Sequence, residues 1–416
     1  MSFVLDKIGT LVTLSGAVEK KGRNIRSPDL GIIHDACLVI GGVGRKSKIL
    51  FSGLRADLPA KFKKLKKISA GGKMVLPGFV DSHTHLVFAG DRSREFEMRL
   101  AGKTYQEIAA QGGGIINSVR ATREISAAEL YKLSHQRVQN FLKQGVTTIE
   151  IKTGYGLTFE SEKKCLEVIK KLKNTQGTIV STFLAAHAVP EEFKNRKEEY
   201  IREISIIWLP KLQKFCDYVD IFLDEGYFDQ HDADILLKVA QELKVPTKIH
   251  ADELALTGGT QTAIDFESLS ADHLLKITDK EIAMLSESEV TATLLPTTAF
   301  FLKTDYAPAR KLLDRGARVA LATDFNPGTS PTQDITLVGI LSALEMDMRI
   351  EEVIVGLTLN GAYALGLEKK KGALIEGFDS DFFLVEGENP AKLFYEFGSG
   401  RAPVKVHSSG EWISGD

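Results

Sequence analysis

Two histidines stand one residue apart at the end of an apolar run. They are His83 and His85, in the stretch PGFVDSHTHL at residues 77–86. Residues i and i+2 of a β-strand project from the same face, so both imidazole rings can contact one object. Imidazole is the commonest side-chain ligand of metal ions in proteins. The spacing therefore predicts that these two histidines bind a single metal ion.

Further polar residues end later apolar runs of the chain. Five of the nine histidines occupy such positions, whereas His34, His135, His231 and His407 are interpreted as structural residues. The full set of candidates is His83, His85, Lys152, Tyr155, His187, His250, Glu253, His273 and Asp324. Three histidines and a carboxylate supply the nitrogen and oxygen ligands that suit a divalent transition metal.

Hydrolysis is the reaction that such a ligand set favours. A metal ion with an open coordination position lowers the pKa of a bound water until that water is a nucleophile near neutral pH. A side chain must then accept the proton and return it to the leaving group, and Glu253 and His273 are available for this task. Two other roles for Glu253 stay open, which are capping the next helix and orienting a metal ligand.

Eight β-rich runs alternate with amphipathic stretches between about residues 75 and 325, and they position these candidates. The runs are 74–83, 145–156, 178–189, 218–226, 246–253, 270–274, 289–297 and 318–328. Such alternation predicts an α/β fold with a TIM-like (β/α)8 barrel, in which the C-terminal ends of the strands form the active face. Capping boxes at Ser126 with Glu129 and at Thr278 with Glu281 predict two of the helix starts.

The two ends of the chain have a different pattern. Residues 1–74 and 366–416 contain short strand-like runs separated by turns, and we predict that together they build a small β-sandwich domain beside a barrel of residues 75–365. Two unrelated terminal extensions are the alternative. The basic segment PAKFKKLKKI at 59–68 is the first stretch with helical character, and its lysines are expected to be solvated.

Composition excludes several classes of partner. Lys plus Arg total 53 and Asp plus Glu total 55, so a net charge of -2 gives no reason to expect nucleic acid. The three cysteines have neither zinc-site nor disulfide spacing, which favours a reducing compartment. The N-terminus does not resemble a secretory signal, and no run of 18 apolar residues occurs. We expect a soluble, cytoplasmic protein that acts on a small molecule without a membrane partner.

The order of these residues resembles the amidohydrolase superfamily. An HxH motif after strand one, a histidine after each of strands five and six, and an aspartate after strand eight match His83, His85, His250, His273 and Asp324. Longer motifs resemble the ring-opening hydrolases of histidine degradation within that superfamily. These are HTHLVFAGDRSREFEMRLAGKTYQEIAAQGGGI, KTGYGL, LAAHAVP, IHADE and ATDFNPGTSPT.

The resemblance implies one divalent or trivalent metal ion per chain, which is either zinc or iron. The implied ligands are His83, His85, His250 and Asp324, and the implied catalytic residues are Glu253, His273 and Asp324. Binuclear relatives place a carboxylated lysine at the end of strand four, but that end reads FLDEG here, so a second metal is not expected. A homodimer is also implied.

The implied substrate is 4-imidazolone-5-propanoate, whose cyclic amide C–N bond would be hydrolysed to give N-formimidoyl-L-glutamate. The implied pocket residues are Arg92, Tyr155, His187, Glu253, Asn326, Gly328 and Thr329. His187 is expected to help the metal stabilise the developing oxyanion. Read without the family, Arg92 fits a surface ion pair with Asp91 or Glu95 equally well, and residues 326–328 fit a simple turn.

Three alternatives remain open at this point. A cytosine- or guanine-type deaminase uses the same core constellation to attack an amidine carbon. A catalytically silent barrel used for assembly would be expected to lack some of the ligands, whereas the set here is complete. The segment QGGGI at 111–115 fits either a lid that excludes water or a plain flexible loop.

Overall fold

The computed structural model describes residues 2–103, 107, 113–398 and 403–413. Its strands, β1–β16 in chain order, are Phe3–Val12, Ile32–Gly41, Lys48–Leu54, Lys66–Ser69, Met74–Pro77, Phe79–Asp81, Val146–Lys152, Thr178–Ala186, Tyr218–Leu223, Thr247–Ala251, Ser270–His273, Thr291–Leu294, Val319–Leu321, Phe382–Val385, Lys405–Ser408 and Glu411–Ile413. Its α-helices are Ser15–Glu19, Ser93–Leu100, Ile115–Glu124, Ala127–Lys143, Phe159–Leu172, Lys197–Arg202, Leu209–Leu212, Gln230–Glu242, Gly259–Asp265, Asp279–Glu287, Pro296–Leu302, Ala309–Asp314, Ile335–Glu345, Ile350–Gly356, Leu359–Tyr363 and Lys392–Tyr395. A π-helical segment spans Glu203–Trp208, and single 3-10 turns lie at Ser27–Leu30, Gly44–Lys46, Arg55–Asp57, Ala60–Phe62, Glu191–Phe193 and Gln213–Phe215.

Strands β6 to β13 form the predicted barrel. They are parallel and follow one another in chain order through eight neighbouring positions, with helices between them. The barrel closes just beyond the ends of β6 and β13, where the Asp324 amide donates to the His83 carbonyl at 3.0 Å and the His85 amide donates to the Phe325 carbonyl at 2.9 Å. This seam makes the HxH motif and Asp324 direct neighbours although 240 residues separate them in the chain.

Both predicted helix starts are confirmed, and Thr278 with Glu281 forms the complete capping box. The Ser126 hydroxyl accepts from the Glu129 amide at 3.2 Å, and the helix Ala127–Lys143 begins there. The Thr278 amide donates to the Glu281 carboxylate at 3.0 Å at the start of the helix Asp279–Glu287. In both helices the cap satisfies backbone donors that the first turn leaves without partners.

Both ends of the chain contribute to a second sheet, as the strand pattern predicted. Its order is β16-β15-β14-β5-β1-β2-β3, and β4 also pairs with β1, so the pairing makes one mixed sheet. The C-terminal part enters through β14, which runs antiparallel to β5 with Leu384 opposite Val75. The domain boundaries at residues 74/75 and 365/366 remain predictions.

The first predicted run, 74–83, proved to be two strands rather than one. Met74–Pro77 lies in the terminal sheet, and Phe79–Asp81 is the first strand of the barrel. Gly78 connects them at a point of close contact, because a Cβ there would lie 2.1 Å from the Thr147 hydroxyl oxygen. Only glycine lets the chain pass from one sheet to the other at this distance.

The basic segment 59–68 is only partly helical. Ala60–Phe62 forms a single 3-10 turn, and Lys66–Ser69 is the strand β4, parallel to the start of β1. Ladder pairing with β1 therefore overrides the helical propensity of the lysines, and the segment's lysines are exposed. Among the described helices, none has both the length and the apolar composition that a membrane span requires.

Phe383 of β14 packs the terminal sheet against the barrel. Its ring centroid lies 4.8 Å from that of Phe79 on β6, and both side chains are buried. We expect Phe383→Ala to lower the free energy of unfolding by about 3–5 kcal/mol, because a cavity opens between the sheets. Chemical denaturation of both proteins measures this difference. Phe397→Ala, at an exposed position, should change it by less than about 0.5 kcal/mol, and equal losses in the two variants would contradict the packing role.

Candidate metal centre and active site

Four side chains from distant parts of the chain converge at the C-terminal rim of the barrel. The Nε2 atoms of His83 and His85 lie 3.4 Å and 3.5 Å from Asp324 Oδ1. The Nε2 atoms of His250 and His85 are 3.3 Å apart. All four side chains are buried, with relative exposures between 0 and 3%. The structure thus brings together the four predicted metal ligands.

Hydrogen bonds on the far side of two of these rings determine where their lone pairs point. His83 Nδ1 contacts Asp272 Oδ2 at 2.6 Å, and His250 Nδ1 contacts Asp220 Oδ1 at 3.1 Å. Because a carboxylate only accepts, Nδ1 of each ring carries the proton, and each Nε2 presents a lone pair. His83 Nε2 is buried without a hydrogen-bond partner. Lone pairs that face one another beside a carboxylate oxygen fit a shared cation.

Burial keeps the imidazoles neutral, the form that binds a metal, and makes the ionised form of Asp324 costly. Desolvation lowers the pKa values of His83, His85 and His273 well below the usual range of an imidazole, so the rings are neutral. Desolvation also raises the pKa of Asp324 to about 6, because a lone buried carboxylate is costly. A cation between these groups would relieve that cost.

Asp324 is held in one orientation by its surroundings. The Thr298 hydroxyl donates to Oδ2 at 2.6 Å, which directs Oδ1 toward His83 and His85. The backbone of Asp324 has φ 51°, and that of His273 has φ 80°, a region that side-chain-bearing residues avoid. Such conformations cost on the order of 1–3 kcal/mol each and cluster at functional sites.

Glu253 and His273 form the second part of the site. Glu253 Oε2 lies 3.5 Å from His273 Nδ1. Burial, together with the negative charges of Asp324 and Asp224, raises the pKa of Glu253 well above the usual range of a carboxyl group. Asp224, directly after β9, accepts from the Glu253 amide at 2.7 Å and so holds the loop that carries Glu253. The structure brings the two residues together, and their role in proton transfer remains a prediction.

Tyr155 and His187 line one side of the cluster. The His187 ring stacks on His85 with centroids 4.8 Å apart, and the Tyr155 ring lies 5.4 Å from His187. His187 Nδ1 contacts the Gly154 carbonyl at 3.0 Å, and burial lowers the pKa of His187 to about 4. The neutral ring therefore donates to Gly154 and presents an acceptor at Nε2.

The remaining predicted pocket residues form a group around the loop after β13, the eighth strand of the barrel. Arg92 Nη2 pairs with Glu95 at 2.7 Å, while its Nη1 lies against Gly328, where a Cβ would come within 2.0 Å. Asn326 Oδ1 accepts from the amides of Gly328 and Thr329, both at 2.8 Å. Asn326 thus braces its own loop, as the turn interpretation expected, and Gly328 leaves room for the guanidinium.

Electrostatics link this loop group to the metal cluster. Burial raises the pKa of Tyr155, and the nearby charge of Arg92 opposes that rise.

Residues 111 and 112 of the predicted lid lie outside the described part of the chain, so the lid remains a prediction.

The sequence interpretation missed the carboxylates that orient the ligands. Asp220 and Asp272 are fully buried on β9 and β11, and each binds the Nδ1 atom of a candidate ligand. A signal was present, because each aspartate interrupts an apolar strand, in YVDIFL and in SADHL. Both aspartates also contact Lys152, whose ammonium lies 2.7 Å from Asp220 Oδ2.

Comparisons with known proteins identify the family of this chain. The amidohydrolase family profile matches residues 74–413. The imidazolonepropionase of Bdellovibrio bacteriovorus is 45% identical over 100% of this chain and 97% of its own length, and that of Porphyromonas gingivalis is 41% identical over 96% and 94%. Among solved structures, guanine deaminase from E. coli superposes with a TM-score of 0.74 at 15% identity and covers 100% of both chains.

The two kinds of similarity carry different information. At 15% identity the deaminase structure shows that the barrel with its additional sheet is shared, and nothing about the substrate. The full-length sequence relatives, by contrast, include the loops that carry the site. The chain therefore belongs to the amidohydrolase superfamily and, within it, to the imidazolonepropionase family.

Proposed function

We propose that this chain opens the ring of 4-imidazolone-5-propanoate by hydrolysis, giving N-formimidoyl-L-glutamate as a step of histidine degradation. The observation that carries the proposal is the convergence of three imidazoles and Asp324 in a chain that aligns end to end with imidazolonepropionases. Water adds to the ring carbonyl carbon, the bond from that carbon to the ring nitrogen breaks, and the nitrogen takes up a proton.

One metal ion would be held by His83, His85, His250 and Asp324. The orphaned His83 Nε2 and the short Nε2–Nε2 separation between His85 and His250 support this donor set. A bound ion supplies Lewis acidity and lowers the pKa of water at the site. Nitrogen and oxygen ligands suit both zinc and iron, and we propose one ion of either kind.

The substrate carries a ring lactam and a carboxylate tail. Arg92 offers the planar cation that binds a carboxylate. Because Gly328 has no side chain, the guanidinium of Arg92 fits against the loop after β13. Tyr155 and Thr329 would contact the ring and the tail from either side. His187 presents an acceptor at Nε2, so it would bind a ring N–H rather than assist an oxyanion, which revises the role expected from the sequence.

Glu253 and His273 would move the proton. The raised pKa of Glu253 lets this group hold a proton taken from water and return it to the ring nitrogen. His273, 3.5 Å away, would orient the carboxyl group and share its charge. Asp324 Oδ1 faces the same space and is a second candidate for deprotonating water.

The deaminase alternative is not favoured, because only a distant structural similarity supports it.

We also propose that the chain acts in the cytoplasm as a homodimer and binds neither nucleic acid nor a membrane. Cysteine usage and the near-neutral net charge support the compartment and the absence of polyanionic partners.

A substrate panel tests the reaction. We expect loss of the ultraviolet absorbance of imidazolonepropanoate in the presence of enzyme, and no ammonia release from cytosine or guanine. The measurement is one absorbance assay and one ammonia assay on the same metal-loaded preparation. Ammonia release from either base, with the lactam left intact, would reassign the chain to the deaminases.

Replacing a candidate ligand tests the metal centre. His250→Ala should reduce the metal content per chain to a small fraction of the wild-type value and abolish hydrolysis, because the lone pair of Nε2 is lost. Elemental analysis after dialysis and the lactam assay measure both effects. His34→Ala, at an exposed histidine of the terminal sheet, is the matched control and should leave both unchanged. Full metal content in His250→Ala would remove this residue from the ligand set.

A conservative change at Glu253 separates proton transfer from metal binding. Glu253→Gln retains the shape of the side chain but cannot carry the proton, so kcat should fall by about 100- to 10,000-fold. Metal content should remain at the wild-type value. Glu225→Gln, at an exposed position in the loop after β9, is the control and should have no effect on kcat. Loss of metal together with activity would indicate that Glu253 supports the ligands rather than the proton.

A further inference from the structure

A lysine is buried among three carboxylates beneath the candidate metal centre. Lys152 Nζ lies 2.7 Å from Glu150 Oε1, 2.7 Å from Asp220 Oδ2 and 3.7 Å from Asp272 Oδ2, and all four side chains have 0% exposure. The mechanism proposed above gives this lysine no role.

Two of these carboxylates are the ones that orient candidate metal ligands. Asp272 binds His83 Nδ1 at 2.6 Å, and Asp220 binds His250 Nδ1 at 3.1 Å. Lys152 is therefore the shared centre of two chains of contacts, one through each aspartate, that end on two imidazoles of the same cluster. These contacts join strands β7, β9, β10 and β11 and the segment that follows β6 across the interior of the barrel.

The stability of the fold does not explain this arrangement. Burying an ammonium with several carboxylates removes all of them from water, and well-packed apolar side chains often stabilise a core as much or more. A buried ammonium is well suited to keep two carboxylates ionised and stationary. Burial alone would lower the pKa of Lys152, but Asp220, Glu150 and Asp272 outweigh it, so the lysine is charged.

We propose that Lys152 is a positioning residue for the metal centre: it holds Asp220 and Asp272 so that His250 and His83 present their Nε2 lone pairs to the metal. Without the ammonium, Asp220 and Glu150 would repel each other, and Asp272 would retain only the ion pair with Lys248 Nζ at 3.6 Å. The aspartates would then shift, which would loosen the contact at each Nδ1 and let the imidazole rotate. This inference rests on the metal centre of the proposed function, but not on the identity of the substrate.

The test measures zinc affinity directly on metal-free protein. Zinc is titrated into apo wild type and apo Lys152→Met against a competing chromophoric chelator. We expect about 10- to 100-fold weaker zinc binding in the variant, the range found when groups behind metal ligands are removed. The visible absorption spectrum of the cobalt-substituted protein should also change, because the imidazoles no longer hold one geometry.

The direction of the effect discriminates between two roles. If Lys152 acted on the metal only through its charge, removing it would relieve repulsion and strengthen zinc binding. Unchanged or tighter binding in Lys152→Met, with an unaltered cobalt spectrum, would overturn the proposal.

Lys371→Met is the matched control for loss of a buried lysine. Lys371 is 6% exposed in its side chain and pairs with Asp379 at 2.9 Å and Asp381 at 2.5 Å, away from the cluster. Its replacement should lower the thermal stability but leave zinc affinity at the wild-type value. Equal weakening of zinc binding in both variants would assign the effect to general destabilisation and overturn the proposal.

A milder variant covers the case in which Lys152→Met does not fold. Lys152→Gln retains a hydrogen-bond donor toward Asp220 without the charge, and we expect an intermediate zinc affinity; wild-type affinity there would also overturn the proposal. Failure of the proposed function is a separate result. A wild-type protein that binds zinc but leaves imidazolonepropanoate intact would reject the substrate, and the zinc titrations would still decide the role of Lys152.

Discussion

Three imidazole lone pairs and the Asp324 carboxylate are buried together at the rim of the barrel, where they would suit one shared cation. His83, His85 and His250 direct nitrogen atoms at the space beside Asp324 Oδ1, with almost no exposure to solvent. His83 Nε2 has no hydrogen-bond partner, and burial raises the pKa of Asp324 although the Thr298 hydroxyl donates to it. One ion bound by all four groups would compensate for this burial, and its binding would then be linked to the folding of this region.

The architecture of the barrel brings these groups close enough together to share one ion. His83 and His85 follow β6 and Asp324 follows β13, so the seam that closes the barrel also joins two parts of the candidate centre. Behind the ligands, Asp272 and Asp220 hold the rings, and Lys152 lies between these two carboxylates. The terminal sheet packs against the outside of the first strands through Phe383 and Phe79.

Much of the site was predictable because strand ends of a βα barrel share one rim. Residues that terminate successive β-rich runs must therefore meet, and His83, His85, His250, His273 and Asp324 do so. The roles of these residues remain proposals. Asp220 and Asp272 were not identified, because an aspartate within a strand indicates a polar contact but not which partner across the barrel it contacts. The split of the run 74–83 at Gly78 was equally invisible, since it depends on Thr147 of a later strand.

Local sequence patterns were enough to predict the alternation of strands and helices, the capping signals at Ser126 and Thr278, and the residue types available to bind a metal. These features are local, because they depend on periodicity and on neighbours a few residues away. The protonated nitrogens of His83 and His250 and the acceptor at His187 Nε2 follow from contacts that exist only in the folded chain. The same holds for the contacts of Lys152 with both Asp220 and Asp272. The physical reason is that a hydrogen bond or an ion pair requires approach within a few ångströms, and only the folded chain brings strands so distant in sequence that close.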